Sequence, residues 1–288
     1  MGDGLGDRMK RYEGAEAGRR LMPLLPVLAR LDGRAFHSFV RGLDRPFDRR
    51  LSELMIDTAT FLVRETNAAV GYTQSDEITL AWVPEGYDAQ VFFDGRVQKM
   101  TSTLAALCSA HFNRRLPAFL PAEFAERLPV FDCRVWNVPT LEEAANTFLW
   151  RELDAAKNSV SMAARVYYEH AELHDRSGAE MQELLWKKGV NWADYPTFFK
   201  RGTFVRRWKV SRPFAAAELE ALPQKHAARS DPALVVERSE CGPLDLPPLS
   251  KVGNRVGVLF RGEEPLPAQR DPVPGGPGAV RGGEAQTS

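Results

Sequence analysis

The chain has 288 residues, of which 44% are hydrophobic, and it carries 38 basic and 38 acidic side chains. This length allows one large domain or a domain with an appendage, and the balanced charge excludes nucleic-acid binding by overall charge, so that any such binding must come from local patches. The three cysteines, Cys108, Cys133 and Cys241, lack paired spacing, which indicates neither a disulfide framework nor a zinc site and fits a reducing, cytoplasmic compartment.

The N-terminal segment, residues 1–20, is polar, and a helical arm over Leu5–Ala17 is compatible with it. We expect no signal peptide, because charged residues stand where an apolar core would be needed, namely Asp3, Asp7, Arg8 and Lys10. We also expect no transmembrane segment and no membrane partner, since the sequence has no apolar run of the required length.

A nearly continuous apolar run, residues 24–31, predicts a buried first strand. Asp32 follows where this strand leaves the sheet, and Gly33 allows the backbone to turn and approach a ligand closely. The backbone amides that come next can hold phosphate oxygens. We therefore predict a phosphate-binding turn at residues 32–37, in which a nucleoside triphosphate is held by Gly33, Arg34, Ala35, Phe36 and His37.

The next elements are a helix and a β-hairpin. Asp48 can cap a helix with a one-sided apolar stripe, which consists of Leu51, Leu54, Met55, Ala59, Leu62 and Val63. Residues 69–83 then contain two strand-like runs joined by the polar stretch Gln74-Ser75-Asp76-Glu77. Adjacent strand residues point to opposite faces, so we expect different tasks for Asp76 and Glu77.

Asp32 and Asp76 are candidate metal ligands, because carboxylates from two neighbouring strands could hold two magnesium ions about 3.5–4 Å apart, as in-line phosphoryl transfer requires. Magnesium prefers a few carboxylates together with substrate phosphates. We predict that Gly33 adds its carbonyl, that Ser75 helps to hold the triphosphate, and that Glu77 orients the site from behind. Taken alone, either motif is more often a solvated turn, so the prediction depends on both together.

Further along the chain, residues 98–114 predict a second helix and residues 131–138 a further strand. Thr140 and Glu143 form a capping-box pattern that begins a helix expected to run to Asp154 and to break at Lys157-Asn158-Ser159. Ser177-x-x-Glu180 begins another helix that stops at Gly189. The order strand, helix, strand, strand predicts an α+β fold that starts as a ferredoxin-like palm and continues with a helical second half.

The segment 187–212 contains eight basic residues and one acidic residue, with aromatic residues between them. Basic side chains provide affinity for phosphates, and aromatic rings can stack on unpaired bases. The alternative is a hairpin with its aromatic rings in the core and its charges in water. We favour RNA binding for the charged residues, and the candidates are Lys187, Lys188, Lys200, Arg201, Arg206 and Arg207.

The composition predicts four segments. Residues 1–139 would form the palm catalytic domain with its N-terminal arm, and residues 140–212 the helical and basic RNA-binding part. Residues 213–261 would be a C-terminal appendage, whose apolar pattern over Leu244–Phe260 suggests that it docks on the body. Residues 262–288 are rich in proline, glycine and charge and predict a disordered tail.

These motifs, in this order, resemble the tRNA-histidine guanylyltransferase family, and more closely its bacterial and archaeal guanylyltransferase-like 3′–5′ polymerases. The resemblance covers roughly residues 5 to 210. It depends on Asp32-Gly33-Arg34-x-Phe36-His37 and Gln74-Ser75-Asp76-Glu77, together with Gly6-Asp7-Arg8-Met9-Lys10, Arg45-Pro46-x-Asp48, Arg96-x-x-Lys99, Phe131-Asp132-x-Arg134-Val135, Trp150-Arg151-x-x-Asp154 and Lys200-Arg201-Gly202-Thr203.

The resemblance implies a polymerase-type palm and a magnesium-dependent nucleotidyltransferase that acts on the 5′ end of tRNA, with ATP or GTP as substrate or activator. It implies Asp32, Asp76 and Glu77 as the catalytic residues, and nucleotide contacts by Arg96 and Lys99. It also implies a dimer or a tetramer. Asn158 is the candidate tRNA contact within the second half.

Substrate choice depends on one departure from the family pattern. Enzymes that guanylylate tRNA-histidine carry the motif His-Ile-Asn-Asn-Leu-Tyr-Asn where this chain has residues 156–162, and only Asn158 matches. We therefore expect templated 3′–5′ addition and repair of 5′-truncated tRNAs, with histidine-specific G(−1) addition as the alternative. Two other classes stay open: a nucleotide cyclase-like enzyme, and a noncatalytic RNA-binding palm module.

Overall fold

The computed structural model describes residues 4–86, 88–89, 91–231 and 233–268. Its strands are β1 Val27–Gly33, β2 Val70–Gln74, β3 Glu77–Trp82, β4 Phe131–Asn137, β5 Thr203–Pro213 and β6 Val235–Leu244. Its α-helices are α1 Gly4–Ala17, α2 Phe36–Phe39, α3 Arg49–Thr66, α4 Val97–Arg115, α5 Leu141–Ala164, α6 His170–Leu173, α7 Gly178–Lys187, α8 Thr197–Arg201, α9 Ala216–Ala221 and α10 Ala227–Ser230.

The strands form one antiparallel six-stranded sheet in the order β4-β1-β3-β2-β5-β6. The first four strands have the order of a ferredoxin-like palm, which confirms the predicted α+β fold. Strands β5 and β6 extend this palm as a long hairpin, which continues past the predicted limit at residue 212. The segments on either side of that limit therefore share one sheet.

Helices α3 and α4 cover one face of the sheet and enclose the main core. The Asp48 carboxylate accepts a hydrogen bond from the Arg50 amide, so α3 begins at the predicted cap. Its predicted apolar stripe is buried at Leu54, Met55, Ala59, Leu62 and Val63. The period of 3.6 residues thus fixes which face of α3 packs on the sheet.

The opposite face is covered by α5 and the C-terminal segment, which together form a second core. Leu249, Val252, Val258 and Leu259 are buried there, so the segment predicted to dock does so. Residues 262–268, the first part of the predicted disordered tail, fold back on it, because the Ala268 amide donates to the Lys251 carbonyl at 2.8 Å. The rest of the predicted tail, residues 269–288, lies outside the described residues.

Helix α5 differs from the prediction, because it continues through Lys157-Asn158-Ser159 to Ala164. The polar side chains that suggested a break are satisfied within the helix. Asn158 donates to the Asp154 carboxylate at 3.1 Å, and the Ser159 hydroxyl donates to the Ala156 carbonyl at 2.8 Å. None of the described helices is long and apolar enough to span a membrane.

Candidate active site

The two predicted metal carboxylates lie at the same end of the palm sheet, where β1 ends and β3 begins. Asp32, near the end of β1, is directly opposite Glu77, the first residue of β3. The Gly33 amide donates to the Asp76 carbonyl at 3.1 Å and joins the β1 end to the β2–β3 turn. The turn contains only Ser75 and Asp76, since Gln74 and Glu77, predicted to lie in the turn, are paired in the strands.

The turn residues have an unusual conformation and environment. Ser75 has a positive φ of 51°, and its hydroxyl donates to the Asp76 carboxylate at 3.0 Å. Burial raises the pKa of Asp76, the Ser75 hydrogen bond opposes this, and the nearby Asp32 charge raises the pKa further. Left-handed backbone at a non-glycine residue is strained and is concentrated at functional sites.

A divalent cation fits this carboxylate pair. Among the ion pairs of the described residues, none includes Asp32 or Asp76, so neither carboxylate has a cationic partner in that part of the chain. The described residues contain no group of three or more histidine, cysteine or acidic side chains able to hold a metal. Two carboxylates completed by a backbone carbonyl and substrate phosphates are a typical magnesium donor set.

The predicted phosphate-binding turn follows Asp32 directly. A Cβ atom at Gly33 would lie 2.2 Å from the Phe36 ring, so no other residue fits there without a shift of the turn. The Phe36 side chain belongs to the core, where its ring packs 5.1 Å from the Phe131 ring. Phe36 therefore anchors the turn and offers only its backbone to a ligand.

Only part of this turn has free amides. The Gly33 amide is bound to Asp76, and the Arg34 amide donates to the Val130 carbonyl at 2.9 Å. Among the described residues, no acceptor contacts the amides of Ala35, Phe36 and His37. Ala35 has a positive φ of 53° at the start of α2, and the His37 side chain is exposed. The predicted cradle of five residues is thus reduced to three amides.

Glu77, next to Asp76 in the chain and opposite Asp32 in the sheet, has a partner that sequence reasoning missed. The Arg151 guanidinium donates to both carboxylate oxygens of Glu77, at 2.6 and 2.8 Å. Burial raises the pKa of Glu77, and the Arg151 charge opposes that rise. A detectable signal existed, because Arg151 shares the buried face of α5 with Ala144, Phe148 and Ala155. A charge on such a face requires a counterion.

Arg96 and Lys99 do not adjoin the carboxylates within one chain. Arg96 forms a β-bridge with Arg20, ahead of β1, so α4 begins at the far end of the sheet. The other end of α4 is near Gly33, since the Phe131 amide donates to the Ser109 hydroxyl and Phe131 pairs with Gly33. A helix rises 1.5 Å per residue, which puts Arg96 and Lys99 about 15–20 Å away along the helix axis.

The basic segment 187–212 uses several of its charges internally. Arg201, with a side chain 19% exposed, forms an ion pair at 2.7 Å with the buried Glu152 and donates to the Leu246 carbonyl at 3.2 Å. Burial raises the pKa of Glu152, while the hydrogen bond from the Leu249 amide and the Arg201 charge lower it. Arg201 therefore connects α5 to the C-terminal segment.

Two further arginines also bind backbone carbonyls. Arg206 donates to the Val258 carbonyl at 2.8 Å. Arg207 donates to the Val63 and Arg64 carbonyls, both at 2.9 Å, and to the Asn67 side chain at 2.6 Å. These contacts attach the sheet to its neighbours, so the two guanidinium groups have a structural use whether or not RNA binds.

The lysines of the segment are more accessible. Lys200 donates to the Ala193 carbonyl and lies over the Trp192 ring. Lys187 and Lys188 are exposed at the end of α7, and Lys188 lies 5.1 Å from the Tyr168 ring centroid. Asn158 is exposed on α5. Of the predicted tRNA-binding residues, Lys187, Lys188 and Asn158 are exposed, whereas Lys200 is half-buried.

Comparison with known proteins places this geometry in context. The family model of tRNAHis guanylyltransferase (Thg1) matches residues 6–139. A bacterial Thg1-like protein solved in complex with ATP is 36% identical, has a TM-score of 0.65, and aligns over 70% of this chain and 88% of its own. A bacterial Thg1-like protein solved in complex with GTP is 32% identical with a TM-score of 0.66, over 86% and 95% of the two chains.

The tRNA(His) guanylyltransferase of Neurospora crassa is 25% identical over 215 residues, which are 69% of this chain and 71% of that protein.

Proposed function

This chain belongs to the tRNAHis guanylyltransferase family and is a nucleotidyltransferase, and from that premise we propose that it adds nucleotides to the 5′ end of tRNA in a templated 3′–5′ reaction. The reaction would be magnesium-dependent and would repair 5′-truncated tRNAs. The observation that carries the chemistry is the proximity of Asp32 and Asp76, neither of which is in an ion pair with a described residue. The Gly33 amide donates to the Asp76 backbone carbonyl, and three amides without an acceptor among the described residues follow in the same turn.

The chain's own residues have distinct tasks in this proposal. Asp32 and Asp76 hold two magnesium ions together with the Gly33 carbonyl, and Glu77 orients the turn. When bound, magnesium neutralises charge on the reacting phosphates and assists ionisation of the attacking hydroxyl. The amides of Ala35, Phe36 and His37, with the Ser75 hydroxyl, bind the triphosphate oxygens.

The reaction forms one bond and breaks one bond. The 3′-oxygen of the incoming nucleotide bonds to the 5′ phosphorus of the tRNA, and diphosphate or a nucleoside monophosphate leaves. ATP or GTP would activate the 5′ end. The bacterial neighbours solved with ATP and with GTP support this choice of nucleotides.

Template-directed selection is supported by the sequence of α5. The residues that replace the histidine-specific motif, 156–162, continue a regular helix, and Asn158, the one matching residue, is hydrogen-bonded to Asp154. Fewer polar groups are then available to fix a single base or tRNA. Selection would come from Watson–Crick pairing with the opposite strand of the acceptor stem.

The position of Arg96 and Lys99 supports the proposed dimer or tetramer. If these residues bind a nucleotide at Asp32 and Asp76, the distance along α4 requires that they come from a second copy of the chain. We further propose a cytoplasmic enzyme that binds tRNA through local basic patches.

The test is 5′ extension of tRNAs that lack their first nucleotide, with each nucleoside triphosphate supplied singly. We expect several tRNA species to be extended, each by the nucleotide that pairs with its template. Exclusive, untemplated G addition to full-length tRNA-histidine would restore the guanylyltransferase function. Metal-dependent turnover without tRNA would support the cyclase-like class, and no turnover at all would support a noncatalytic RNA-binding module.

A further inference from the structure

A buried row of polar side chains connects the carboxylate turn to the surface of α5. Arg151 makes two parallel hydrogen bonds to Glu77, and the two side chains are only 7% and 11% exposed. Paired donors of this kind fix orientation as well as distance. The Trp150 ring lies 4.6 Å from the Arg151 guanidinium carbon and covers it on one side.

The row continues away from the sheet to solvent. The Arg151 guanidinium also donates to one carboxylate oxygen of Asp154 at 3.1 Å. The same oxygen accepts the Asn158 amide at 3.1 Å. One guanidinium nitrogen of Arg151 therefore donates to both Glu77 and Asp154, and Asn158 closes the row at the surface.

At its inner end the row reaches the turn formed by Ser75 and Asp76, because one peptide bond joins Glu77 to Asp76. Glu77 directly follows Asp76, its carbonyl accepts the Thr73 hydroxyl at 3.0 Å, and it stands opposite Asp32 across β1 and β3. The backbone of Glu77 is thus fixed on the strand side, and its side chain is fixed by Arg151. A shift of the Glu77 backbone would also shift Asp76, because one peptide bond joins them.

We propose that Arg151 is a positioning residue of the nucleotidyl-transfer site, which holds Glu77 so that Asp76 is presented for metal, with Asp154 and Asn158 keeping Arg151 in place. This inference rests on the proposed metal role of Asp32 and Asp76. Residues that support metal ligands from behind typically change metal affinity or activity by about 10- to 100-fold when they are replaced.

The alternative is that Arg151 and Glu77 form a buried pair that matters only for folding. The same helix provides a matched control for this alternative. Glu152, the next residue, forms a similar buried pair with Arg201 at 2.7 Å, and its other oxygen accepts the Leu249 amide. That pair contacts the C-terminal segment, not the turn formed by Ser75 and Asp76.

The experiment compares Arg151→Lys with Arg201→Lys in the full chain. Each substitution keeps the charge and removes the second donor of the planar fork. Binding of Mn²⁺ to the nucleotide-free protein is measured from the loss of the free-ion electron paramagnetic resonance signal, and stability from the urea midpoint. We expect both variants to have a lower midpoint, and only Arg151→Lys to bind Mn²⁺ about 10- to 100-fold more weakly.

Equal Mn²⁺ affinity of Arg151→Lys and the wild type would overturn the inference while leaving the metal assignment in place. Wild-type protein that binds no Mn²⁺ would contradict the metal assignment, and the inference with it. Should Arg151→Lys not fold, Asp154→Asn decides the matter, because it keeps both Arg151 and Glu77 and weakens only the contact that holds Arg151 in place. A few-fold weaker Mn²⁺ binding by Asp154→Asn supports the inference, and unchanged affinity contradicts it.

Discussion

The carboxylate pair Asp32 and Asp76 and the basic segment 187–212 were both predicted from residue type and order. In the structure their charged groups have different surroundings. Asp32 and Asp76 come together at one end of the palm sheet, and no ion pair of the described residues includes either of them. In the segment 187–212, Arg201 and its neighbours are used on a buried carboxylate and on backbone carbonyls. Short side chains at strand ends stay where the backbone puts them, whereas long guanidinium groups reach partners that sequence order does not reveal.

The largest loss of activity is expected from substitutions of Asp32 and Asp76. Asp32→Ala and Asp76→Ala should each reduce nucleotidyl transfer by at least about 10³-fold, because each removes a proposed metal carboxylate and with it several kcal/mol of transition-state stabilisation. Circular dichroism and tRNA affinity should stay close to the wild type. The assay is 5′ extension of a truncated tRNA at saturating magnesium.

Asp175→Ala serves as the control for these two variants, because Asp175 is an exposed carboxylate whose side chain is 88% accessible and pairs with His174. Transfer by this control should equal that of the wild type. Near-normal turnover by either Asp32→Ala or Asp76→Ala would refute the two-metal assignment and remove the contrast between the two regions.

The second effect tests whether Arg201 is structural. Arg201→Met should destabilise the protein by about 3 kcal/mol, because it leaves the buried Glu152 carboxylate without its charged partner. The free energy of unfolding is measured by urea denaturation. Adding Glu152→Gln should recover part of this stability, since the uncompensated charge is then gone.

If Arg201→Met kept wild-type stability but bound tRNA more weakly, Arg201 would be an RNA-binding residue and not a structural one. For that reason, a joint substitution of Lys200 and Arg201 is a poor test of RNA binding. Weaker binding by such a variant would not distinguish a missing phosphate interaction from a displaced C-terminal segment.

Much of the fold was accessible from the sequence because it depends on local periodicity and capping. The β2–β3 hairpin, the stripe of α3 and the Ser177 capping box appear as predicted, although β3 is buried on both faces. The ferredoxin-like strand order and the family were confirmed as well. The roles of the predicted site residues stay predictions.

The missed features depend on contacts between distant parts of the chain. No local pattern indicates that Arg151 pairs with Glu77, 74 residues away, or that β6 joins the palm sheet. The continuity of α5 was missed for a different reason. Asn158 and Ser159 have low helix propensity, but their hydrogen bonds within the helix compensate for it.

A smaller effect is expected for the exposed lysines. Lys187→Ala and Lys188→Ala together should leave stability unchanged and weaken tRNA binding, and each phosphate that is no longer neutralised should reduce the salt slope by about 1. The measurement is tRNA affinity over a range of potassium chloride concentrations. Lys209→Ala is the control for loss of an exposed lysine, because Lys209 is exposed and paired with Glu237 at 2.9 Å. A slope unaffected by the double substitution would mean that these lysines only face solvent.

The smallest effect is expected in how stability depends on pH. The pairs Arg201–Glu152 and Arg212–Glu218 should change the free energy of unfolding in opposite directions as pH rises. Burial raises the pKa of Glu152 beside Arg201, whereas the hydrogen bond from Arg212 lowers the pKa of Glu218 to about 2. A raised carboxyl pKa gives stability that is present below the unfolded-state pKa and is lost as pH rises through the folded-state value. A lowered pKa gives stability that is present above the unfolded-state pKa and is lost as pH falls toward 2.

The unfolding free energy of the wild type is therefore compared with that of Glu152→Gln and of Glu218→Gln between pH 3 and pH 8. Relative to Glu152→Gln, the wild type should lose stability as pH rises above about 4.5, where the unfolded glutamate ionises first. Relative to Glu218→Gln, it should lose stability as pH falls below about 4.5. Slopes of the same sign would mean that Glu152 is not desolvated in the folded protein, and that the Arg201 pair resembles an exposed ion pair more than a buried one.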